Sequence, residues 1–239
     1  MGPVTLPLFI GFVIMSIGSL AIYVHGDKRT EFLHHTQFHS VVPFMAATAY
    51  LAMALGIGRL EMPDGQTLFL ARYADWVVTT PILLTGLILA GLHEHPRHST
   101  FILPAVVLDA LMIVTGLLAA TTESETAKWV WFAWSSAAFL GIIYLLLGPV
   151  MAAARALGGK MTSVYKANLT FLLLVWAIYP IEWALGPQGL GLFTTLADAW
   201  FILVMDVTAK VIYGFVATSR FKKLSIEDAD RKPMPATEV

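Results

Sequence analysis

The chain has no cysteine and few charged residues. Its 239 residues include no Cys, and Asp, Glu, Lys and Arg together make up 13% of them. Without thiols there can be no disulfide, thiolate metal site or thiol nucleophile. Soluble proteins carry roughly 25% charged residues, so this composition excludes an ordinary soluble protein. The net charge of −1 comes without any basic tract, so nothing indicates nucleic-acid binding.

Apolar residues dominate instead, at 57% of the chain with a mean hydropathy of +0.73. Seven apolar windows are long enough to cross about 30 Å of hydrocarbon at roughly 1.5 Å per residue. They cover residues 4–23, 40–57, 68–90, 100–120, 129–147, 167–185 and 190–217. We therefore predict an all-α membrane protein, with a seven-transmembrane helix bundle at 1–222 and a charged, disordered tail at 223–239. The first window lacks a basic flank and a cleavage site, which favours a retained helix over a signal peptide.

Lys and Arg are distributed unevenly between the two ends of these helices. One set of loops and the C-terminus carry eleven of them, whereas the opposite loops carry two, Arg59 and Lys128. The positive-inside rule then predicts an extracellular N-terminus and a cytoplasmic C-terminus. All seven histidines fall on or near the cytoplasmic side, and we expect His93, His95 and His98 in a solvated loop.

Several ionisable residues lie inside the predicted helices, where charge is costly and marks function. They are Arg72, Asp75, Asp109, Glu182, Asp198, Asp206 and Lys210. Lys210 follows Asp206 by four residues, and Asp75 follows Arg72 by three, so each pair shares one helix face. Two cations and two carboxylates can form a neutral cluster near mid-membrane. Such a cluster either locks two helices together or surrounds a desolvated amine that forms a Schiff base with an aldehyde.

The surroundings of these charges favour a ligand pocket. Trp76 follows Asp75, and the sixth helix carries Trp176, Tyr179, Pro180 and Trp183 at positions i, i+3, i+4 and i+7 of one face. An aromatic stripe alone is typical of packing. Beside a buried amine it predicts a binding site for an apolar aldehyde.

Two runs carry a resemblance to a known family. The sequence is RYADWVVTTP at 72–81 and DVTAK at 206–210. Both runs resemble the third- and seventh-helix signatures of microbial (type 1) rhodopsins. Further support comes from WAIYP at 176–180 with Trp183, from Asp109 with Met112, Thr115 and Gly116, and from Pro43 with Tyr50. The resemblance extends over all seven helices.

The resemblance implies a role for each of these residues. Lys210 is expected to hold all-trans retinal as a protonated Schiff base. Asp75 is its counter-ion and proton acceptor, Asp206 is a second counter-ion, and Arg72 lies just outside them. The expected retinal contacts are Tyr50, Trp76, Thr80, Leu83, Met112, Gly116, Trp176, Tyr179, Pro180 and Trp183.

Hydrogen bonds around this centre also follow from the resemblance. Thr79 is expected to orient Asp75, while Tyr50 and Tyr179 hydrogen-bond Asp206. Thr80 and Asp109 resemble a pair that ties the third helix to the fourth. Whether Asp109 also takes part in proton transfer stays open.

The third helix of the family reports ion selectivity at three positions, which here are Asp75, Thr79 and Gly86. This pattern resembles the DTG group of bacterial outward proton pumps. Gly86 stands about 16 Å along the helix from Asp75, where other pumps carry a carboxylate proton donor. His39, near the start of the second helix, either relays the proton in place of that donor or caps the helix end.

On the exit side Asp198 resembles one of two release-group carboxylates, and Gln188 occupies the position of the other. Glu182 is either a second exit carboxylate or a contact in a homo-oligomer, the assembly that we expect. Leu83 matches a position where Leu accompanies green absorption. Phe132 fills a site that a carotenoid antenna would need, so none is expected.

The sequence thus predicts a light-driven outward proton pump, a transporter and not an enzyme, in the inner membrane of a bacterium. Its partners would be lipid and protons, and there is no metal or nucleotide motif. The alternative is a photosensory rhodopsin that signals to a separate transducer. A chromophore-free seven-helix receptor or transporter would leave both motif runs unexplained.

Overall fold

Seven helical spans form the protein, confirming the predicted fold class. The computed structural model describes residues 2–62, 65–92 and 99–231. The first four spans are α1 (Thr5–His25), α2 (Thr30–Ala54), α3 (Leu70–Gly91) and α4 (Ser99–Thr121). The fifth span comprises α5 (Glu125–Leu145), a π-helical turn (Leu146–Val150) and α6 (Met151–Leu157). The sixth comprises α7 (Gly159–Trp176) and α8 (Ile178–Leu185). The seventh comprises α9 (Thr195–Asp206), a π-helical turn (Val207–Ile212) and α10 (Tyr213–Arg231).

The helices extend beyond the apolar windows that predicted them. Within the described residues, six spans are long and apolar enough to cross a membrane, and the second, which contains three histidines, falls short. It begins at Thr30 instead of residue 40, because polar residues can continue a helix into the headgroup region, where a hydropathy window does not follow them. The seventh span continues to Arg231, past the predicted start of the tail at 223. Residues 232–239 and the three loop histidines lie outside the described residues.

A small hairpin, which the sequence did not indicate, joins the second and third spans. Strands β1 (Arg59–Glu61) and β2 (Thr67–Phe69) pair antiparallel, with Leu60 opposite Leu68. The Thr195 hydroxyl donates to Gln66 Oε1 at 2.7 Å. The hairpin is thereby fixed to the start of the seventh span, on the predicted extracellular side.

Glycine lets the first span approach its neighbours closely. A Cβ atom at Gly11 would lie 2.2 Å from the ring of Tyr50, and one at Gly18 would lie 2.6 Å from Val211. Close approach of backbones is how helices associate in lipid, where burial of apolar surface gives no advantage. Gly11 thereby makes room for Tyr50, one of the predicted site residues.

Irregular turns occur where the chain approaches the candidate site. Lys210 lies inside the π-helical turn of the seventh span, and the sixth span is interrupted at Ala177 between Trp176 and Ile178. A π-helical turn changes the direction of the side chains that follow it and occurs frequently at functional sites. Both spans were predicted as regular helices.

Candidate functional site

Lys210 lies between two carboxylates in the middle of the bundle. Its Nζ atom is 2.6 Å from Asp75 Oδ2 and 3.3 Å from Asp206 Oδ1. The three side chains are at most 3% exposed. The third and seventh spans therefore bring together the amine and both carboxylates that the sequence singled out.

The two carboxylates differ in their hydrogen bonds. Asp206 accepts from Tyr50 at 3.0 Å, from Tyr179 at 2.8 Å and from the Trp76 indole at 3.3 Å. Asp75 accepts from Lys210, and its Oδ1 atom has no hydrogen-bond partner among the described residues. Three neighbouring side chains therefore hold the Asp206 carboxyl group in position, and hydrogen bonds to a charged group are the stronger ones.

A cavity extends from Lys210 between the third, fourth, fifth and sixth spans. Its wall contains seven aromatic side chains: Tyr73, Trp76, Phe132, Phe139, Trp176, Tyr179 and Trp183. The Trp76 and Tyr179 rings meet edge to face at 5.4 Å, and Phe132 stacks on Trp183 at 4.8 Å. Such walls suit an extended apolar ligand.

Most of this wall was predicted. All of the predicted cofactor contacts except Tyr50 line the cavity, and Tyr50 reaches Asp206 instead. The prediction missed Tyr73, Ile113, Ser135, Ser136, Phe139 and Ala209. On the fifth span, residues 132, 135, 136 and 139 share one helix face, a signal that their spacing already contained.

The two threonines that follow Asp75 make different contacts. Thr80 donates to Asp109 Oδ2 at 2.6 Å, which ties the third span to the fourth. Thr79 donates to the backbone carbonyl of Asp75 at 2.9 Å, a bond that a threonine inside a helix commonly makes to the residue four positions earlier. The Thr79 side chain also interacts with the Asp75 carboxyl group.

Arg72 lies outside the pair of carboxylates that flank Lys210. Its guanidinium pairs with Asp198 on the seventh span, with contacts of 2.9 and 3.4 Å, and both side chains are buried. The guanidinium also lies 5.2 Å from the centre of the Phe69 ring. The charges that spacing alone grouped into one cluster are therefore divided, with Lys210 between Asp75 and Asp206 and Arg72 beside Asp198.

Glu182 faces the interior beside this ion pair. It is 4% exposed, lines the cavity and interacts with the Asp198 carboxyl group. Of the two alternatives left open, its position excludes a contact on the outer surface and favours a second carboxylate near Asp198. Two carboxyl groups therefore meet beside one arginine, although Gln188 occupies the position where the family pattern has a carboxylate.

His39 lies on the other side of Lys210, buried at 1% exposure. Because α2 begins at Thr30, His39 is inside the helix, and the proposed role as a helix-end cap is wrong. A Cβ atom at Gly86 would lie 3.5 Å from Phe38, the neighbour of His39 in sequence. The missing donor position and His39 are thus at a similar depth.

Retinal fits the residues that are present. A cofactor with an aldehyde on an apolar polyene needs one reactive amine at the end of an apolar cavity, and Lys210 is that amine. Gly116 contributes space, since a Cβ atom there would project against Ser135 at 3.4 Å. Asp75 and Asp206 provide the negative charge that a cation at the Lys210 nitrogen requires.

Comparisons with known proteins agree with this architecture. Residues 3–224 match the family model described as "Bacteriorhodopsin-like protein". Archaerhodopsin-1 of Halorubrum ezzemoulense is 36% identical over 220 residues, which cover 90% of this chain and 83% of that protein.

Solved structures give the same result. The thermophilic rhodopsin of Rubrobacter xylanophilus superposes with a TM-score of 0.86 at 34% identity, covering 93% of this chain and 97% of that one. The light-driven proton pump rhodopsin of Coccomyxa subellipsoidea gives a TM-score of 0.83 at 30% identity, covering 92% of this chain and 97% of that one. The chain belongs to the bacteriorhodopsin-like family of microbial rhodopsins, which are multi-pass proteins of the plasma membrane.

Proposed function

We propose that this protein is a light-driven outward proton pump that carries all-trans retinal covalently on Lys210. The observation that carries the proposal is the position of Lys210 Nζ, between Asp75 and Asp206 at the end of an aromatic cavity. When bound, retinal supplies light absorption and a change of shape that releases the proton held at the Lys210 nitrogen.

Asp75 accepts that proton. Its Oδ2 atom is 2.6 Å from Lys210 Nζ, and its Oδ1 atom is unpartnered among the described side chains. Asp206 keeps its position beside Lys210, because Tyr50, Tyr179 and Trp76 all donate to it. It holds the Lys210 amine in place while Asp75 changes its charge.

Release to the outside uses the carboxyl pair of Asp198 and Glu182. Two carboxylates in contact repel each other, so the pair shares one proton, and Arg72 compensates the remaining charge. When Asp75 becomes neutral, Arg72 is attracted less toward the centre of the bundle and more toward Asp198. The shared proton is then released from the pair.

Return of the proton from the cytoplasm uses His39. Gly86 provides no carboxylate, and an imidazole ring can both accept and donate a proton through its two nitrogens. His39 is buried on the predicted cytoplasmic side of Lys210, where a returning proton must pass. The route therefore depends on a neutral side chain in place of the usual acid.

Illumination of cells tests the proposal. Unbuffered cells that express the chain receive all-trans retinal, and external pH is recorded in the light with and without a protonophore. An outward pump acidifies the medium, and the protonophore abolishes the change. Lys210→Ala serves as the control and should form no pigment.

The outcomes separate the candidate functions. If pigment forms and external pH does not change, the pump is refuted and the photosensory alternative takes its place. If the unaltered chain forms no pigment, the assignment of Lys210 is wrong.

A further inference from the structure

The predicted cytoplasmic half of the bundle contains buried polar atoms that have no hydrogen-bond partner among the described residues. They are His39 Nδ1, Asn168 Nδ2, Tyr213 Oη and Thr218 Oγ1. Each of these side chains is at most 1% exposed. Buried polar groups are normally paired, so a group of unpaired atoms in one region calls for an explanation.

Tyr213 stands nearest to Lys210 in sequence. It directly follows the π-helical turn that contains Lys210, three residues further along the seventh span. At the rise of a helix, this places it about 4.5 Å closer to the cytoplasmic end. Its ring meets that of His39 edge to face at 5.4 Å and lies 5.6 Å from Phe171. Tyr213 therefore follows Lys210 toward the predicted cytoplasmic end of the seventh span and contacts the His39 ring.

The hydroxyl of Tyr213 has a cost that packing does not explain. An unpaired buried polar group destabilises a protein, and phenylalanine would fill the same space without this cost. Tyr165, equally buried, shows the ordinary solution, since its hydroxyl donates to the Leu146 carbonyl at 2.8 Å. The Tyr213 hydroxyl has no such partner among the described residues, and the ring that carries it packs against the His39 ring, whose Nδ1 atom is also unpaired.

We propose that the Tyr213 hydroxyl relays the proton from His39 to the Lys210 nitrogen. The proposal rests on the proposed function, because it assigns a second residue to the return of the proton. Tyr213 donates its hydroxyl proton toward Lys210 Nζ and accepts one from the His39 side, so the phenol is regenerated and one proton has moved. One water can bridge the Tyr213 hydroxyl and a nitrogen of the His39 ring. Two hydrogen bonds of about 2.8 Å in series span a distance similar to the 5.4 Å between the two ring centres.

Gly214 makes this contact geometrically feasible. A Cβ atom at Gly214 would lie 3.2 Å from the backbone carbonyl of His39 and 3.6 Å from its Cβ atom. The absence of a side chain at 214 lets the seventh span approach the second at the level of His39. Tyr213 and His39 are consequently held against each other by the packing of two helices.

The test compares Tyr213→Phe with a matched control, Tyr144→Phe. Tyr144 lies on the fifth span and is 74% exposed. The substitution Tyr144→Phe therefore removes the same hydroxyl group at a position away from the proposed proton route. After a laser flash, we expect recovery of the proton on Lys210 to slow by about 100-fold in Tyr213→Phe, the lower end of what a positioned proton-transfer group contributes. Tyr144→Phe should recover at the unaltered rate. Sodium azide, a small acid that carries protons into buried sites, should restore the rate in Tyr213→Phe.

Two further measurements examine the coupling to His39. If both residues serve one route, the double variant His39→Ala/Tyr213→Phe should recover no more slowly than His39→Ala alone. ¹⁵N NMR of histidine-labelled protein, without retinal, gives a readout that does not depend on pumping. Tyr213→Phe should shift the His39 Nδ1 resonance, and Tyr144→Phe should leave it unchanged.

The results distinguish this proposal from the proposed function. The relay would be overturned if Tyr213→Phe recovered at the unaltered rate, or if the double variant recovered more slowly than His39→Ala alone. In either case, acidification by the unaltered chain would still support the pump. An unchanged His39 resonance in Tyr213→Phe would also overturn it. Failure of the unaltered chain to acidify the medium would refute the pump itself.

Discussion

Replacing Asp75 by Asn removes a carboxylate 2.6 Å from Lys210 Nζ and leaves Asp206, at 3.3 Å, in place. With an effective dielectric constant of about 20, each carboxylate attracts the Lys210 charge by about 5–6 kcal/mol, so distance alone hardly distinguishes them. Hydrogen bonds do distinguish them. Tyr50, Tyr179 and Trp76 donate to Asp206, and bonds to a charged group contribute about 1.5–3 kcal/mol each.

These three donors already occupy the oxygens of Asp206, so Asp206 is poorly placed to replace Asp75 as proton acceptor. A positioned proton-transfer group contributes about 10²–10⁴-fold to a rate, so we expect transfer from Lys210 to fall by about 10³-fold in Asp75→Asn, and light-driven acidification to disappear. Pigment still forms, because Lys210 and the cavity are unchanged.

Flash spectroscopy measures the transfer, and infrared difference spectra show which carboxyl group gains a proton. Asp109→Asn is the matched control: it makes the same replacement at a buried aspartate, and the amide oxygen can still accept from Thr80. The reasoning would be refuted if Asp75→Asn kept the protonated-carboxyl band and the original rate. It would equally fail if Asp206→Asn, and not Asp75→Asn, abolished the band.

Three other expectations follow from the structure. In Glu182→Gln, the proton shared with Asp198 is lost, so proton release to the medium should be delayed until the end of the cycle. A soluble pH indicator measures this delay, and unchanged timing would contradict the carboxyl pair. In His39→Ala, recovery of the Lys210 proton should slow and change its dependence on pH, and an unchanged rate across pH would exclude the relay. In Gly91→Ala, the new Cβ atom would lie 2.8 Å from the Tyr165 ring, and the substitution should cost about 1–3 kcal/mol of stability in thermal unfolding. In Gly86→Ala, the new Cβ atom would lie 3.5 Å from Phe38, an ordinary contact, so this substitution should cost little stability.

The centre of the site was predictable because its chemistry is costly in a membrane. A lysine deep in an apolar helix, with an aspartate one turn earlier, has few physical explanations, and Lys210 with Asp206 follows directly from spacing. The aromatic face from Trp176 to Trp183 was readable for the same reason. Each signal depends on residues that are near each other in sequence.

Some contacts between spans could not be predicted from spacing along one helix. Arg72 shares a helix face with Asp75, yet its long side chain pairs with Asp198, which is 126 residues away. On the fifth span only Phe132 was considered, although Ser135, Ser136 and Phe139 lie on the same face and line the cavity with it. Tyr213 has no special signature, and its significance comes only from the neighbouring His39 ring.

The ends of the spans were mispredicted for a reason that also concerns function. A hydropathy window stops where polar residues begin, and it placed His39 at the edge of the second span. The helix in fact starts at Thr30, which places His39 inside the bundle. The polar residues that shortened the predicted helix therefore include the buried histidine to which we assign a role in proton return.

The two sides of Lys210 differ in a way that explains how a proton could move in one direction. Toward the predicted exterior, Asp75 is followed by the Arg72–Asp198 pair, so a released proton moves among fixed charges that can stabilise it. Toward the cytoplasm, the buried residues Leu83 and Leu87 oppose any bare charge. A proton leaves easily toward the charged side, and it returns only along neutral polar groups that need not be ionised at rest. On this argument a carboxylate at position 86 is dispensable, provided that His39 can take up a proton from the cytoplasm and a second polar group connects it to Lys210.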